Sequence, residues 1–173
     1  ISDRQPSGMK RQRKKTMWMP CCTWDFSMPR EKAWTKTKKK AFTYIRRAAE
    51  TGNKNAQYNL ARCYEEGIGT KQDHSKAFGW YKKAGQQGDY RAMCCMGGYF
   101  LSGQAVPPNT ERAFQLFEKA ANANIPAAQY NLSILYRYGE GVEKDEDKAD
   151  LWLTKAAQNG FKLAKDALHG EQE

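Results

Sequence analysis

The 173-residue chain has few of the residues that common catalytic and metal sites require. It contains two histidines, His74 and His169, and neither is at metal-ligand spacing from a cysteine. There is no C-x-x-C motif, no glycine-rich phosphate loop and no nucleophile elbow. We therefore predict no catalytic residues, no metal and no cofactor, and we expect that the protein is not an enzyme.

Long apolar runs are also missing. No run approaches the eighteen apolar residues that a membrane-spanning helix needs, and the N-terminal sequence lacks the pattern of a secretory signal. The five cysteines form two adjacent pairs and a single Cys63, which does not resemble a disulfide framework. We expect reduced thiols and an intracellular, reducing compartment, with the cytoplasm favoured over the nucleus or an organelle.

Positive charge is in excess, with 29 Lys and Arg against 19 Asp and Glu. Residues 1–54 have 15 basic and 4 acidic side chains, whereas residues 55–173 have 14 and 15. We predict that residues 1–37 form a basic arm, extended or disordered. Such an arm can contact phosphate groups or act as a targeting signal, and a plain solvated leader is the alternative. The basic side chains concerned are Lys10, Arg11, Arg13, Lys14, Lys15, Lys38, Lys39 and Lys40.

The rest of the chain repeats with a period of 36 residues. The segments 55–90, 91–126 and 127–162 align without a gap, and the first and third share 16 identities in 36 positions. Chance would give about two identities, given ordinary residue usage. Repeats of this length predict a stacked array in which neighbouring units complete one another's core.

Each unit has the pattern of two helices. The first carries apolar residues at helical spacing and ends at Gly67, Gly103 or Gly139, since glycine readily takes the left-handed conformation beyond a last turn. Three polar residues that favour helix N-termini precede the second helix, namely Asp73, Asn109 and Asp145. The second helix repeats a stripe of Ala, Trp or Leu, and Ala, so we predict that Trp80 and Trp152 lie in the core. It stops at Gly88, Asn124 and Gly160.

The same register continues at both ends of the three units. Ala41 to Gly52 matches a second helix, and Ala164 and Leu168 continue the first-helix columns. We therefore predict an all-α fold, a right-handed α-solenoid of antiparallel helix pairs with three full repeats and a half repeat at each end. Its predicted bounds are residues 38–169, followed by a polar tail at 170–173.

Two segments show a family resemblance, AQYNLARCYEEGIGTKQDHSKAFGWYKKAGQQG and AQYNLSILYRYGEGVEKDEDKADLWLTKAAQNG. They resemble the Sel-one-like repeat (SLR) family, relatives of the tetratricopeptide repeat with longer loops. The middle unit departs from the pattern at Cys94, Gly98, Ala105 and Pro107-Pro108. The resemblance implies an adaptor or scaffold that binds another protein, and it identifies no particular partner.

In a stack of helix pairs the first helices line the concave face, so their non-core side chains are candidates for contacting a partner. Aromatic, Arg and Asn side chains suit an extended peptide, because they combine flat contact area with hydrogen bonds. The candidates are Tyr58, Asn59, Arg62, Glu66, Arg91, Tyr130, Asn131, Ile134, Arg137 and Tyr138. The tyrosine and asparagine columns could instead hold neighbouring units together. The alternative function is a subunit of a ribonucleoprotein or another nucleic-acid-associated complex, anchored by the basic arm.

Overall fold

The computed structural model describes the backbone of residues 31–170 and the side chains of residues 37–168. The described part consists of eight α-helices with no strand, and each helix packs on the next one along the chain. The helices are α1 Glu31–Glu50, α2 Lys54–Glu66, α3 His74–Gln86, α4 Tyr90–Ser102, α5 Thr110–Asn122, α6 Pro126–Tyr138, α7 Glu146–Gln158 and α8 Lys162–Gly170. The predicted helix pairs are thus α2–α3, α4–α5 and α6–α7, with the half units α1 and α8 at the ends.

The predicted N-terminal caps of the second helices are confirmed. Asp73, Asn109 and Asp145 each accept a hydrogen bond from the backbone N–H three residues further on, at 2.8–2.9 Å. Sequence reasoning missed the caps of the first helices, where Asn53 and Asp89 accept equivalent bonds. Each cap satisfies an N–H group that the first turn of a helix leaves unpaired.

The predicted helix stops are also confirmed. Gly67, Gly103 and Gly139 have φ between +65° and +70°. The stops of the second helices are equally left-handed, and Asn124, at φ +60°, is the non-glycine residue with positive φ in the described chain. Asparagine tolerates this conformation better than most residues do, which explains its place in a glycine column.

The two alanine positions of the predicted stripe are buried in every second helix, but its middle position lies one residue further on than the sequence suggested. Tyr81, Phe117 and Leu153 are buried, whereas Trp80 and Trp152 are only partly buried. Each tryptophan carries a lysine over its ring, Lys83 at 4.0 Å and Lys155 at 4.3 Å. The prediction that the tryptophans are core residues is therefore wrong. They cover the edge of the core, and the stems of the lysines shield their outer faces.

The N-terminal boundary also differs from the prediction. Helix α1 begins at Glu31, so residues 31–37 are helical rather than part of an extended arm. No first helix precedes α1 among the described residues. The side chains on its outer face are therefore exposed, including Tyr44 at 69%. At the other end, α8 extends to Gly170.

The cysteines behave differently from one another. Cys63 and Cys95 are buried thiols, as expected of small apolar core residues. Burial raises the pKa of the Cys63 thiol, which keeps it protonated and unreactive. Cys94, in contrast, is in a disulfide, so the prediction of a reduced thiol does not hold at this position.

Candidate functional site

The exposed side chains of α2, α4 and α6 form one surface, which we call the first-helix face. Equivalent positions of neighbouring repeats lie side by side on it. The clearest evidence is the bond from Arg91 Nη2 to Asn55 Oδ1, a distance of 2.8 Å between residues 36 apart in the chain. A peptide crossing this face would therefore meet the same helix position in successive units.

Arg91 lies at the N-terminal end of α4 on the first-helix face and is held from three sides. Its guanidinium forms an ion pair of 2.6 Å with Asp89, whose side chain is 3% exposed. It also stacks over the Tyr58 ring, 4.4 Å from the centroid. The hydrogen bonds from Arg91 to Asp89 raise the pKa of Arg91. About half of the Arg91 side chain remains exposed, while these contacts fix its orientation.

Three of the predicted contact residues are buried. Tyr58 and Ile134 are each 8% exposed and Asn131 is 2% exposed. Tyr58 packs against Tyr81, with ring centroids 5.7 Å apart. These side chains belong to the packing of the array. For Tyr58 and Asn131 this is the alternative given in the sequence analysis, in which the tyrosine and asparagine columns hold neighbouring units together.

Tyr130 occupies an intermediate position near the C-terminal end of the array. Its ring lies 5.1 Å from that of Phe161, which begins the turn into α8. Burial raises the pKa of the Tyr130 hydroxyl, although the charge of Arg137 acts in the opposite direction. Tyr130 therefore joins the last full repeat to the closing helix and leaves only part of its ring accessible.

The other two predicted arginines are paired with carboxylates. Arg62 pairs with Glu66 one turn further along α2, at 2.8 Å. Arg137 reaches Asp150 on α7, at 2.6 Å. Both pairs are partly exposed, so a carboxylate of a partner would have to compete with an existing one.

Asn59 and Tyr138 are exposed and have no ion pair among the described residues to compete with a partner. Asn59 is exposed on α2, and Tyr138 at the end of α6 is 57% exposed. Sequence reasoning missed a shallow hollow of about 230 Å³ beside Arg91, which Lys54, Asn55 and Tyr90 help to line. The equivalence of Asn55 and Arg91 in the repeat is the signal that could have indicated it.

The basic residues of the predicted arm are only partly within the described chain. Lys38, Lys39 and Lys40 lie on α1, with Lys39 and Lys40 exposed. Lys10, Arg11, Arg13, Lys14 and Lys15 lie outside the described residues. Among the residues that the structure covers, no group of three or more His, Cys, Asp and Glu side chains could hold a metal ion. None of the helices in the same region is long and apolar enough to cross a membrane.

The period, the helix pairs and the neighbour-to-neighbour packing define the chain as an α-solenoid repeat protein. The Sel1 repeat model matches residues 38–53, 54–89, 91–125 and 126–161. The chain therefore belongs to the Sel1 repeat family, as the resemblance predicted. Proteins of this family are generally protein–protein interaction scaffolds.

Solved structures agree with this assignment. A Sel1 repeat protein from Oxalobacter formigenes has a TM-score of 0.69 at 31% identity, over 73% of this chain and 52% of its own. A protective antigen of uropathogenic Escherichia coli with an SLR fold has a TM-score of 0.68 at 28% identity, over 73% of this chain and 27% of its own. This chain thus spans about half the length of the first and about a quarter of the second.

Helicobacter pylori cysteine-rich protein B shows the same fold at lower identity. Its TM-score is 0.60 at 23% identity, over 77% of this chain and 96% of its own. No curated protein matches this chain.

Proposed function

We propose that the protein is a non-catalytic scaffold that binds an extended segment of a partner protein across the first-helix face. The observation that carries the proposal is the contact between Asn55 and Arg91, which joins equivalent positions of two repeats into one surface. Asn59 on α2 and Tyr138 on α6 are further exposed side chains of that face.

The chemistry of the first-helix face suits a peptide. Arg91 can donate to a backbone carbonyl or a carboxylate of the partner while its aromatic stacking on Tyr58 is kept. Tyr138 offers a rigid ring with a polar end, a side chain that often dominates binding energy at interfaces. The nucleic-acid alternative has no support from the family or from the structural relatives.

Selection of peptides on the intact 173-residue protein tests this proposal. Dodecapeptides are selected from a phage-displayed random library, and their affinities are then measured by fluorescence polarisation. We expect Tyr138→Ala and Asn59→Ala each to weaken binding by about 5- to 30-fold, since truncation of an interface side chain commonly costs about 1–2 kcal/mol.

Matched controls lie on the second helices. Leu151→Ala removes an apolar side chain as exposed as Tyr138, and Gln115→Ala removes an exposed amide. Both controls should bind within twofold of the wild type. The proposal is wrong if the library yields no binder, or if the selected peptides are unaffected by the two first-helix variants.

A further inference from the structure

A cavity of about 430 Å³ lies between α3 of the first repeat and the middle repeat, away from the first-helix face. Phe78 of α3 and Phe100 of α4 line it, with perpendicular rings 5.7 Å apart. Val106, Pro107 and Pro108, from the loop before α5, form one wall. On α4, Phe100 projects nearly opposite to Arg91, given about 100° per residue. The cavity is therefore a separate feature from the surface proposed above.

The loop that lines the cavity departs from the pattern of its neighbours. In the flanking repeats, Gly69 and Gly141 press against the preceding second helix. A Cβ at Gly69 would clash with the backbone oxygen of Lys38 and lie 2.8 Å from Phe42 Cβ. A Cβ at Gly141 would clash with Thr110 in the same way. The middle repeat has Ala105 at this position, so its loop cannot approach α3 as closely.

The charge on one side of the cavity is also specific to the middle repeat. Each repeat places a cation over an aromatic ring of its first helix, at 5.4–5.8 Å. In the flanking repeats this cation is a lysine that pairs with the aspartate cap of the second helix, at 3.1 and 2.9 Å. In the middle repeat the cation is Arg112 and the cap is Asn109, which carries no charge. Arg112 has no carboxylate partner among the described residues.

A second cation, Lys82 of α3, also lines the cavity. It is likewise without a carboxylate partner within the described chain. Its counterpart one repeat upstream, Arg46, pairs with Glu50, and its counterpart downstream is the acidic Glu118. No Asp or Glu is among the lining residues. The cavity between the first and middle repeats thus combines an apolar lining with two positive charges that have no carboxylate partner among the described residues.

We propose that this cavity binds an acidic peptide segment in which a large apolar side chain neighbours an Asp or Glu. The apolar side chain would fill the space over Phe78 and Phe100, and the carboxylate would lie between Lys82 and Arg112. A guanidinium can bond a carboxylate through two parallel N–H groups, which gives direction as well as attraction. The volume falls in the range of sites that enclose a small ligand or a short segment.

A degenerate peptide pool presented to the intact protein tests the ligand chemistry. Each probe has a fixed central Phe or Leu flanked by three random positions on either side. We expect enrichment of Asp or Glu next to the central residue. For an enriched peptide, Lys82→Glu and Arg112→Glu should each weaken binding at least tenfold. Lys162→Glu, which makes the same charge change on α8, should leave binding within twofold.

A variant without charge reversal tests why Arg112 lacks a carboxylate partner among the described residues. Asn109→Asp gives the middle repeat the cap that both neighbours have, so the fold should be retained while the introduced carboxylate competes for Arg112. Binding should weaken by about 3- to 10-fold, with the midpoint of thermal unfolding at or above that of the wild type.

Several results would overturn the proposal. The first is enrichment of peptides without acidic residues. The second is a set of enriched peptides whose binding is insensitive to Lys82→Glu and Arg112→Glu. The third is a pool from which no peptide is selected while laurate, a fatty-acid anion offered as a separate probe, binds at the cavity. The last result would assign the cavity to a small anionic amphiphile. Sensitivity of the enriched peptides to Tyr138→Ala alone would place them on the first-helix face, so failure here is distinct from failure of the scaffold proposal.

Discussion

Asp73 and Asp145 cap their helices with a charged oxygen, whereas Asn109 caps the intervening helix with a neutral one. The pKa of Asp73 is lowered, first because its carboxylate accepts from the backbone N–H of Lys76 and then because it bonds the Lys76 ammonium group. The pKa of Asp145 is lowered in the same way by Lys148. Both groups are accessible to solvent, so the effect is local and sensitive to salt.

The lowered pKa values predict a dependence of stability on pH. A carboxyl whose folded-state pKa lies below its unfolded-state pKa stabilises the fold fully above the unfolded value, and this contribution is lost as pH falls through the folded value. We expect the double variant Asp73→Asn, Asp145→Asn to lose less stability than the wild type between neutral and acidic pH. Urea unfolding followed by circular dichroism at several pH values measures this difference. Equal losses in the two proteins would show that the caps do not titrate with folding.

The loops between paired helices follow two designs. In the flanking repeats a glycine with φ +72° lets the loop touch the previous second helix, at Gly69 and Gly141. In the middle repeat, Ala105 and the two prolines hold the loop in another course. Glycine is needed at Gly69 and Gly141 for two reasons. Its φ is left-handed at both positions, and the backbone of another helix approaches it closely.

We therefore predict that Gly69→Ala and Gly141→Ala each destabilise the protein by at least about 1–3 kcal/mol, the size of the strain at such positions before the clash is counted. Ala105→Gly is the matched reverse change and should cost no more than about 1 kcal/mol, through chain entropy. Chemical denaturation provides both values. A Gly141→Ala variant as stable as the wild type would contradict the close approach.

Contacts between repeats hold the array together, since each helix packs on its neighbours in sequence. A buried glutamine connects units at two of these junctions. Gln129 donates to the carbonyl of Ala121 at 3.2 Å and accepts from Asn159 at 2.8 Å. Gln57 makes the equivalent bonds, to Ala49 at 3.4 Å and from Gln87 at 2.8 Å.

At the junction between the first and middle repeats, both amide side chains of this hydrogen-bonded pair are replaced. Met93 stands in the glutamine position and Ala123 in the position of Gln87 and Asn159. Gly85 occupies the position that Ala49 and Ala121 have at the other two junctions. A Cβ at Gly85 would lie 3.5 Å from Met93 Cγ. The larger side chain on one helix is thus matched by the smaller residue on the other, and no amide is left without a partner amide.

This exchange predicts a non-additive pair of substitutions. Gln129→Met should destabilise by about 1–3 kcal/mol, because it leaves the Ala121 carbonyl and the Asn159 amide without their partner. The double variant Gln129→Met, Asn159→Ala, which copies the middle junction, should cost less than the sum of the single changes by about 0.5 kcal/mol or more. Urea denaturation of the four proteins measures this coupling. The control Gln115→Met, on an exposed surface, should change stability by less than about 0.5 kcal/mol. Strictly additive effects of the changes at 129 and 159 would contradict the energetic coupling between these two side chains.

The sequence determined the features that follow from local backbone rules. The period of 36, the helix pairs, the caps at Asp73 and Asn109 and the left-handed stop at Asn124 all match the structure. Such features depend on a few neighbouring residues, and the repeat shows each of them three times, so a chance match in one unit is corrected by the others.

The packing of helices decided the rest, because burial depends on how far each helix is rotated toward its neighbours. One residue of rotation separates the buried Tyr81 from the half-covered Trp80, and the spacing of apolar residues in one chain segment does not resolve that difference. The same holds for partners distant in sequence. Arg137 meets Asp150, and Lys82 of the first repeat and Arg112 of the middle repeat line one open cavity. Both follow from distances between side chains that only the folded array sets.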